Sequence, residues 1–324
     1  MKMKSTWAIC SAFLLASFCT LASAEEAYPK AQPIRLIVPF SAGGGSDTIA
    51  RSVNMPLGEE LGQTVIVENR SGAGGTIATQ HVAKSAPDGY TILFTVSSHS
   101  INEVLYPDLS FDTQGDLRGV TLIGTLPQVI TVSASTPVNN MKEWMELVHK
   151  DQRYRQYASG GVGSPGHFAA ALLQSMTDLP LEHVPYRGSG AAMADVVGNQ
   201  TPAMFSTLSG VLPLIESGKL KAIAVTSPER SPLLPDVETI AESVPGYEAD
   251  TWIGTFVPRE TPDAIVQQLH AATLKVLKEP ATQQRMKEQA GNIIGGSPEE
   301  LDALVDREIK QFAKIIEEQN IQAK

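Results

Sequence analysis

Apolar, β-rich runs alternate with helical patterns from near the start of the chain. Ile34 to Phe40, Thr64 to Glu68 and Tyr90 to Thr95 read as strands, and the spacing between them predicts helices over Asp47 to Leu61 and Thr76 to Lys84. This βαβαβ alternation predicts a mostly parallel sheet covered on both faces. Ala86 to Tyr90 (APDGY) is a turn, because Pro presets one dihedral and Asp-Gly supplies the bend. The apolar stretch Val120 to Val132 is broken at Gly124 and Pro127, which suits a segment leaving one sheet and entering another. Met141, Trp144, Met145 and Val148 then share one face of a helix over Met141 to Lys150. After it the alternation resumes, with strands over Gln156 to Ser159, His183 to Tyr186, Ala203 to Thr207 and Leu220 to Thr226. Helices are expected over Ser164 to Met176 and Ser189 to Val197. Ser227 to Gly254 is proline-rich and lacks a clear period before Trp252, so it reads as a long surface connection with one helical turn near Thr239 to Ser243. The C-terminal region is helical. Thr261-Pro262 starts a helix running to Lys278, and Ser297-Pro298-Glu299-Glu300 opens the last one with a cap, a Pro at the first position and early acids.

Four strand-to-helix junctions are rich in glycine and serine: Pro39 to Asp47 (PFSAGGGSD), Asn69 to Thr76 (NRSGAGGT), Ala158 to His167 (ASGGVGSPGH) and Tyr186 to Gly190 (YRGSG). In the first, Gly43, Gly44 and Gly45 suit the positive dihedrals of a tight turn and leave their N–H groups unobstructed, while Ser46 or Asp47 caps the helix that follows. Such a turn attracts anions. Two junctions in each half of the chain place four donor-rich loops along the carboxyl edges of two sheets, where open α/β sheets bind ligands. The pattern predicts one cleft between two domains that grips an anion from both sides.

Composition narrows the setting. The 324 residues suffice for two domains of ordinary size. Lys2 and Lys4, an apolar run from Trp7 to Leu21, and Ala22-Ser23-Ala24 describe a secretory signal peptide over 1–24, cleaved after Ala24. Both cysteines, Cys10 and Cys19, fall inside it, so the expected mature chain carries no thiol for disulfides, metal or nucleophilic chemistry. Phe18 before Cys19 argues against a lipoprotein signal. No later run reaches the roughly 18 apolar residues of a membrane span. Without Lys2 and Lys4 there are 23 basic against 35 acidic residues, a formal charge of −12, which argues against nucleic-acid binding. Local backbone dipoles still permit a small anion.

Competing chemistries are weakly signalled. Gly161 to Gly166 (GVGSPG) formally matches a dinucleotide loop with Glu182 downstream, but Ser164 and Pro165 read better as a helix cap and first residue. No G-x-S-x-G is present, and none of the six histidines has metal-site spacing. A hydrolase would need Ser164 and His167 as nucleophile and base, with nothing to identify an orienting acid. Arg70 and Arg187 adjoin glycine turns, and each either faces a carboxylate or forms a surface ion pair. Trp252 and Phe256 read as core.

Over the whole mature chain these segments resemble the extracytoplasmic receptors of the tripartite tricarboxylate transporter family, also called Bug (Bordetella uptake gene) receptors. The resemblance is carried in order by YPKAQPIRLIVPFSAGGGSDTIAR, VIVENRSGAGGTIAT, PDGYTILFTVSSHSIN, YASGGVGSPGHFAAALL, HVPYRGSGAAMADVVGNQ, GKLKAIAVTSPERSPLLPDVETIAE and WIGTFVPRETP. It implies an α/β, type II periplasmic-binding fold: two α/β domains with a ligand cleft between them, 25–125 and 226–324 forming the first and 126–225 the second. It further implies a monomeric, non-enzymatic periplasmic receptor without cofactor or metal, delivering a small carboxylate-bearing solute to membrane permease subunits. Carried over residue by residue, Phe40, Ser41, Gly43, Gly44 and Asp47 form the first loop, and Gly74, Gly75 and Thr76 the second. Ser97 and His99 follow the third strand. Ser159, Gly161, Ser164, His167 and Ser189 present donors from the second domain. Where many members carry Phe-Asp-Asn, this chain has Phe205-Ser206-Thr207, so an acid at the cleft edge is replaced by Ser206 and a cationic ligand group loses a partner. A sensor feeding a signalling partner and, less favoured, a secreted hydrolase stand as alternatives.

Overall fold

The computed structural model describes residues 28–40, 42 and 45–323. The expected leader, 1–24, and Ser41, Gly43 and Gly44 of the first loop lie outside the described residues. Along the chain the strands are β1 (Ile34–Val38), β2 (Val65–Asn69), β3 (Thr91–Val96), β4 (Leu117–Leu126), β5 (Gln128–Ser133) and β6 (Gln156–Ser159). They continue with β7 (Glu182–Pro185), β8 (Ala203–Thr207), β9 (Leu220–Val225), β10 (Thr251–Pro258) and β11 (Asn292–Gly296). The helices are α1 (Gly45–Leu61), α2 (Thr76–Ala83), α3 (Ser98–Leu105), α4 (Met141–Lys150), α5 (Pro165–Thr177) and α6 (Ser189–Val197). After these come α7 (Leu208–Glu216), α8 (Ile240–Ser243), α9 (Asp263–Leu277), α10 (Pro280–Glu288) and α11 (Pro298–Gln319).

Two mixed sheets result, ordered β11-β4-β10-β3-β1-β2 and β7-β6-β8-β5-β9. Parallel pairing is confined to β2-β1-β3 and β7-β6-β8; β10 runs antiparallel to β3 and β4, and β5 antiparallel to β8 and β9. The expected mostly parallel sheet is therefore corrected, and the register gives the reason. Thr251 at the start of β10 pairs with Leu126 at the end of β4, and Gln128 at the start of β5 pairs with Thr207 at the end of β8. The chain thus leaves and re-enters each sheet at the carboxyl edge of its parallel strands, and a strand entering from that edge must run backwards. Pro127 marks the outward crossing, as the broken apolar run predicts.

Strand alternation sorts the first domain's core. Ile34, Leu36 and Val38 of β1 pack with α1 and α9 residues such as Ile49 and Leu269 on one face, while Ile37 faces Trp252, Phe256 and Leu301 on the other. Trp252 and Phe256 are buried, as read from the sequence. Local chemistry sets the helix starts: Ser164 caps α5 with Pro165 at its first position, Asn140 caps α4, and capping boxes open α8 (Thr239, Glu242) and α11 (Ser297, Glu300).

The proline-rich stretch is more than a surface connection. Ile240, Val244 and Tyr247 join the second domain's core with Phe168 and Phe205, and Tyr247 Oη donates to Ala169 O at 2.8 Å. The chain so stays with the second domain until β10, later than the expected return at 226. Helix α11 then straps the two domains together: its Phe312 ring meets Phe168 edge-on at 5.0 Å, and Gln319 Nε2 donates to Ala171 O at 2.7 Å.

Candidate functional site

Because both crossings occur at the carboxyl edges, the glycine-rich loops of the two domains face one another across the hinge. Contact is direct at one point: a Cβ on Gly163 of the second domain would lie 2.8 Å from Leu105 Cδ2 of α3 in the first.

On the first domain, the turn before α2 has four successive positive φ angles, at Gly72, Ala73, Gly74 and Gly75. It is packed too closely for side chains at its centre, where a Cβ on Gly74 would lie 3.1 Å from Asn102 Oδ1 and one on Gly75 3.1 Å from Pro39 Cβ. Asn102 Nδ2 donates to Gly74 O at 2.9 Å, pinning the turn to α3. Asn69 joins the residues that flank the first loop, its Nδ2 donating to Phe40 O (3.0 Å) and to Asp47 Oδ1 (2.8 Å). Asp47 is buried and also receives Arg51 Nε at 3.0 Å. It lies within α1, which begins at Gly45, so it serves as an anchor between the first loop and β2 rather than the expected cap. Sequence reasoning passed over Asn69 and Asn102; the signal was an Asn closing a strand directly before a glycine turn, and an Asn one turn into the helix that the turn touches.

On the second domain, Ser159 Oγ lies 2.7 Å from His183 Nε2 and accepts Gly161 N–H at 3.1 Å. The His183 ring is sandwiched: His167 stacks on it at 3.9 Å and Tyr157 at 5.0 Å. Gly163 N–H donates to His167 Nδ1 at 3.3 Å, which places the proton of the neutral ring on Nε2. Burial, with His183 beside it, drives His167 down to about 3, and burial drives His183 down to about 4. Both are neutral near pH 7, so this wall offers hydrogen bonds without charge. Ser164 Oγ accepts His167 N–H at 3.3 Å as a helix cap, and the ring nitrogen a hydrolase would use as base already accepts a backbone N–H. Ser189 is exposed at the start of α6, next to Gly160. Ser206 Oγ is buried without a partner among the described residues.

Four helices that start at this edge, α2, α3, α6 and α7, have no side-chain cap hydrogen bond. The first N–H of α7, on Leu208, already donates to Pro127 O at 3.0 Å, and that of α2, on Thr76, to Ala73 O. The other first-turn N–H groups, those of α3 and α6 foremost, and the helix dipoles are the donors such an edge offers to an anion. His99 does not join them. Its ring packs at 4.6 Å on Phe256 and 6.4 Å from Trp252, inside the first domain, and burial drives it down to about 3. Arg70 forms the surface ion pair, donating to Glu68 at 2.5 Å. No group of three His, Cys, Asp or Glu able to hold a metal exists among the described residues, and no helix there is long and apolar enough to cross a membrane.

A cavity of about 350 Å³ adjoins the edge through Ser97 and Pro165 and extends beneath α11, past Thr125, Asp250, Trp252 and Glu308. Burial, with Glu248 nearby, raises Asp250 to about 6, and burial raises Glu308 to about 7 against the hydrogen bond from Trp252. Its lining sets Glu248, Asp250 and Glu308 against the single Arg307, a balance that disfavours a carboxylate guest, so the uncapped helix edge is the better anion site although Ser97 opens on the cavity.

The family model for the tripartite tricarboxylate transporter family receptor matches residues 49–321. A UPF0065 protein from the tcbD-tcbE intergenic region of Pseudomonas sp. (strain P51) is 34% identical over 96% of this chain and 93% of its own. The periplasmic binding protein BugD superposes with a TM-score of 0.79 at 35% identity, over 92% of this chain and 100% of BugD. MatC from Rhodopseudomonas palustris with bound malate gives 0.77 at 30% identity, over 89% of this chain and 99% of MatC. A second R. palustris protein, with adipate, gives 0.80 at 32%, over 90% and 99%. With a family match across most of its length, the chain belongs to the receptors of the tripartite tricarboxylate transporter family.

Proposed function

We propose that this receptor works in the periplasm, after cleavage behind Ala24, as a monomer that captures a small carboxylate-bearing solute between its two domains and delivers it to membrane permease subunits. The observation that carries the reading is the set of uncapped helix starts, α2 and α3 from one domain and α6 and α7 from the other, on facing edges. Backbone N–H groups bind a carboxylate well once water is excluded and let it go when the domains part, which suits capture and release. In this reading Ser41, Gly43 and Gly44 of the first loop join Gly74, Gly75 and Thr76 around one carboxylate. Ser159, Gly161, His167 and Ser189 hold the remainder of the solute. Asp47 positions the first loop through Asn69. Relatives solved with malate and adipate support the solute class.

The test is calorimetry and thermal shift of the mature protein, stripped of ligand by unfolding and refolding, against a panel of mono-, di- and tricarboxylates. A bound acid at 100 times its dissociation constant adds about 2.7 kcal/mol of stability. A shift with one acid class supports the reading, and no shift with any carboxylate contradicts it.

A further inference from the structure

The loop between β7 and α6 carries an arginine that the site as described does not use. Arg187 is exposed and has no ion pair or hydrogen bond among the described residues. Its loop, by contrast, is fixed. Tyr186 N–H donates to Ser159 O at 3.3 Å and Gly188 N–H to Gly160 O at 3.2 Å, binding the loop on both sides of Arg187 to the turn before α5. The Tyr186 hydroxyl is held by Asp195 (2.7 Å) and Thr201 (2.9 Å), and a Cβ on Gly161 would come within 3.0 Å of Tyr186 O.

Other cations near the edge face acids: Arg307, in the lining of the hinge cavity, lies among Glu248, Asp250 and Glu308. In the three second-domain segments that leave the parallel strands, 159–166, 186–190 and 206–210, Arg187 is the single charged residue. His167 and His183 are neutral near pH 7 because they are buried. On the first domain Arg51 is paired with Asp47, while Arg70 and Arg35 share Glu68. The chain as a whole carries a formal charge of −10, which repels an approaching anion and makes a lone cation at the rim count for more. Backbone N–H groups suit one carboxylate, but a second carboxylate at the far end of a solute needs a partner of its own, and a guanidinium offers two parallel donors and a full charge.

We propose that Arg187 binds the distal carboxylate of the solute and makes this receptor selective for dicarboxylates over monocarboxylates of the same chain length. The proposal rests on the carboxylate-receptor reading. It assigns the charge-bearing half of the recognition to the second domain, so a dicarboxylate bridges both domains and favours closure, whereas a monocarboxylate engages one side.

Affinities measured by calorimetry for malonate through suberate and their matching monocarboxylates, in wild type, R187Q and R187K, test it. The wild type is expected to bind a dicarboxylate at least about tenfold more tightly than its monocarboxylate partner. R187Q is expected to lose that margin with monocarboxylate affinity unchanged, R187K to keep part of it, and added salt to weaken wild-type dicarboxylate binding more than that of R187Q. Because Arg187 is exposed, thermal midpoints without ligand should coincide. Equal losses for both ligand classes in R187Q, or no loss, overturn the role of Arg187 while leaving the receptor reading in place. A wild type that binds no carboxylate of either series overturns the reading beneath it, and the proposal with it.

Discussion

Trp252 Nε1 donates to Glu308 Oε2 at 2.7 Å, joining the strand that returns from the second domain to the helix that straps the two domains. The neighbouring crossings are laced in the same way. Gln128 N–H donates to Thr226 Oγ1 (2.8 Å), Thr226 Oγ1 to Asp250 Oδ1 (2.9 Å), and Gln128 Nε2 to Thr251 Oγ1 (2.8 Å). All three segments that pass between the domains are therefore held by hydrogen bonds meeting beside one cavity.

That hinge gives stability a pH dependence of known sign. Glu308 and Asp250 have folded-state pKa values raised to about 7 and about 6, chiefly by burial, with Glu248 raising both further and Arg307 opposing at Glu308. A raised carboxyl binds its proton more tightly folded than unfolded, so its contribution is fully present below the unfolded value and is lost as pH rises through the folded one. Glu308→Gln keeps the acceptor for Trp252 but removes the titration. Relative to wild type it should gain stability between about pH 5 and pH 8, on the order of 1–3 kcal/mol, read as a difference in thermal midpoint across that range. Parallel midpoints in the two proteins would show that Glu308 does not titrate in this window.

Gly166 is a purely steric position. Its Cβ would fall 2.2 Å from Phe205 O, where the first turn of α5 crosses β8. Gly166→Ala is expected to destabilise by about 1–3 kcal/mol or more, because both contacting parts are backbone and cannot swing aside. A urea melt with unchanged midpoint would refute the close crossing.

Asn69 links the first loop to the second strand through Phe40 O and Asp47 Oδ1. Asn69→Ala should cost about 1–3 kcal/mol of stability, since the buried Asp47 carboxylate loses a donor. It should also weaken carboxylate binding by more than the stability loss accounts for at saturating folded protein. Full affinity in a folded Asn69→Ala protein would remove Asn69 from the site's support.

Asn102 offers a milder version of the same test on the second loop, holding Gly74 O at 2.9 Å. Asn102→Ala is expected to cost about 1 kcal/mol and to lower affinity, while Asn102→Asp, which sets a carboxylate against Gly74 O, should lower stability and affinity further than Ala in calorimetry.

The features legible from sequence are those written locally. Ser164-Pro165 and Ser297-Pro298 fix helix starts within four residues, and the glycine junctions identify the edge where loops gather. Long-range placement was harder to read. Helix α3 is hidden because Ser98, His99, Ser100 and Asn102 are polar yet buried, which leaves no clear apolar stripe to reveal a period. Helix α7 was hidden by Gly210 and Pro213 within it. The antiparallel β10 follows a proline-rich stretch and depends on where the chain re-enters the sheet, which no local pattern encodes. His99 sits beside two serines in a loop-like motif, yet its ring turns inward onto Phe256, a contact across some 157 residues of chain.

The most direct test of a carboxylate site on the facing helix edges is a ¹⁵N-glycine NMR titration with a dicarboxylate that stabilises the protein. The prediction is saturable shifts at Gly74 and Gly75 of the first domain together with Gly161 and Gly163 of the second, at one common affinity. Saturable binding that leaves those four amides unmoved, with Trp252 perturbed instead, would place the ligand in the hinge cavity and contradict the account.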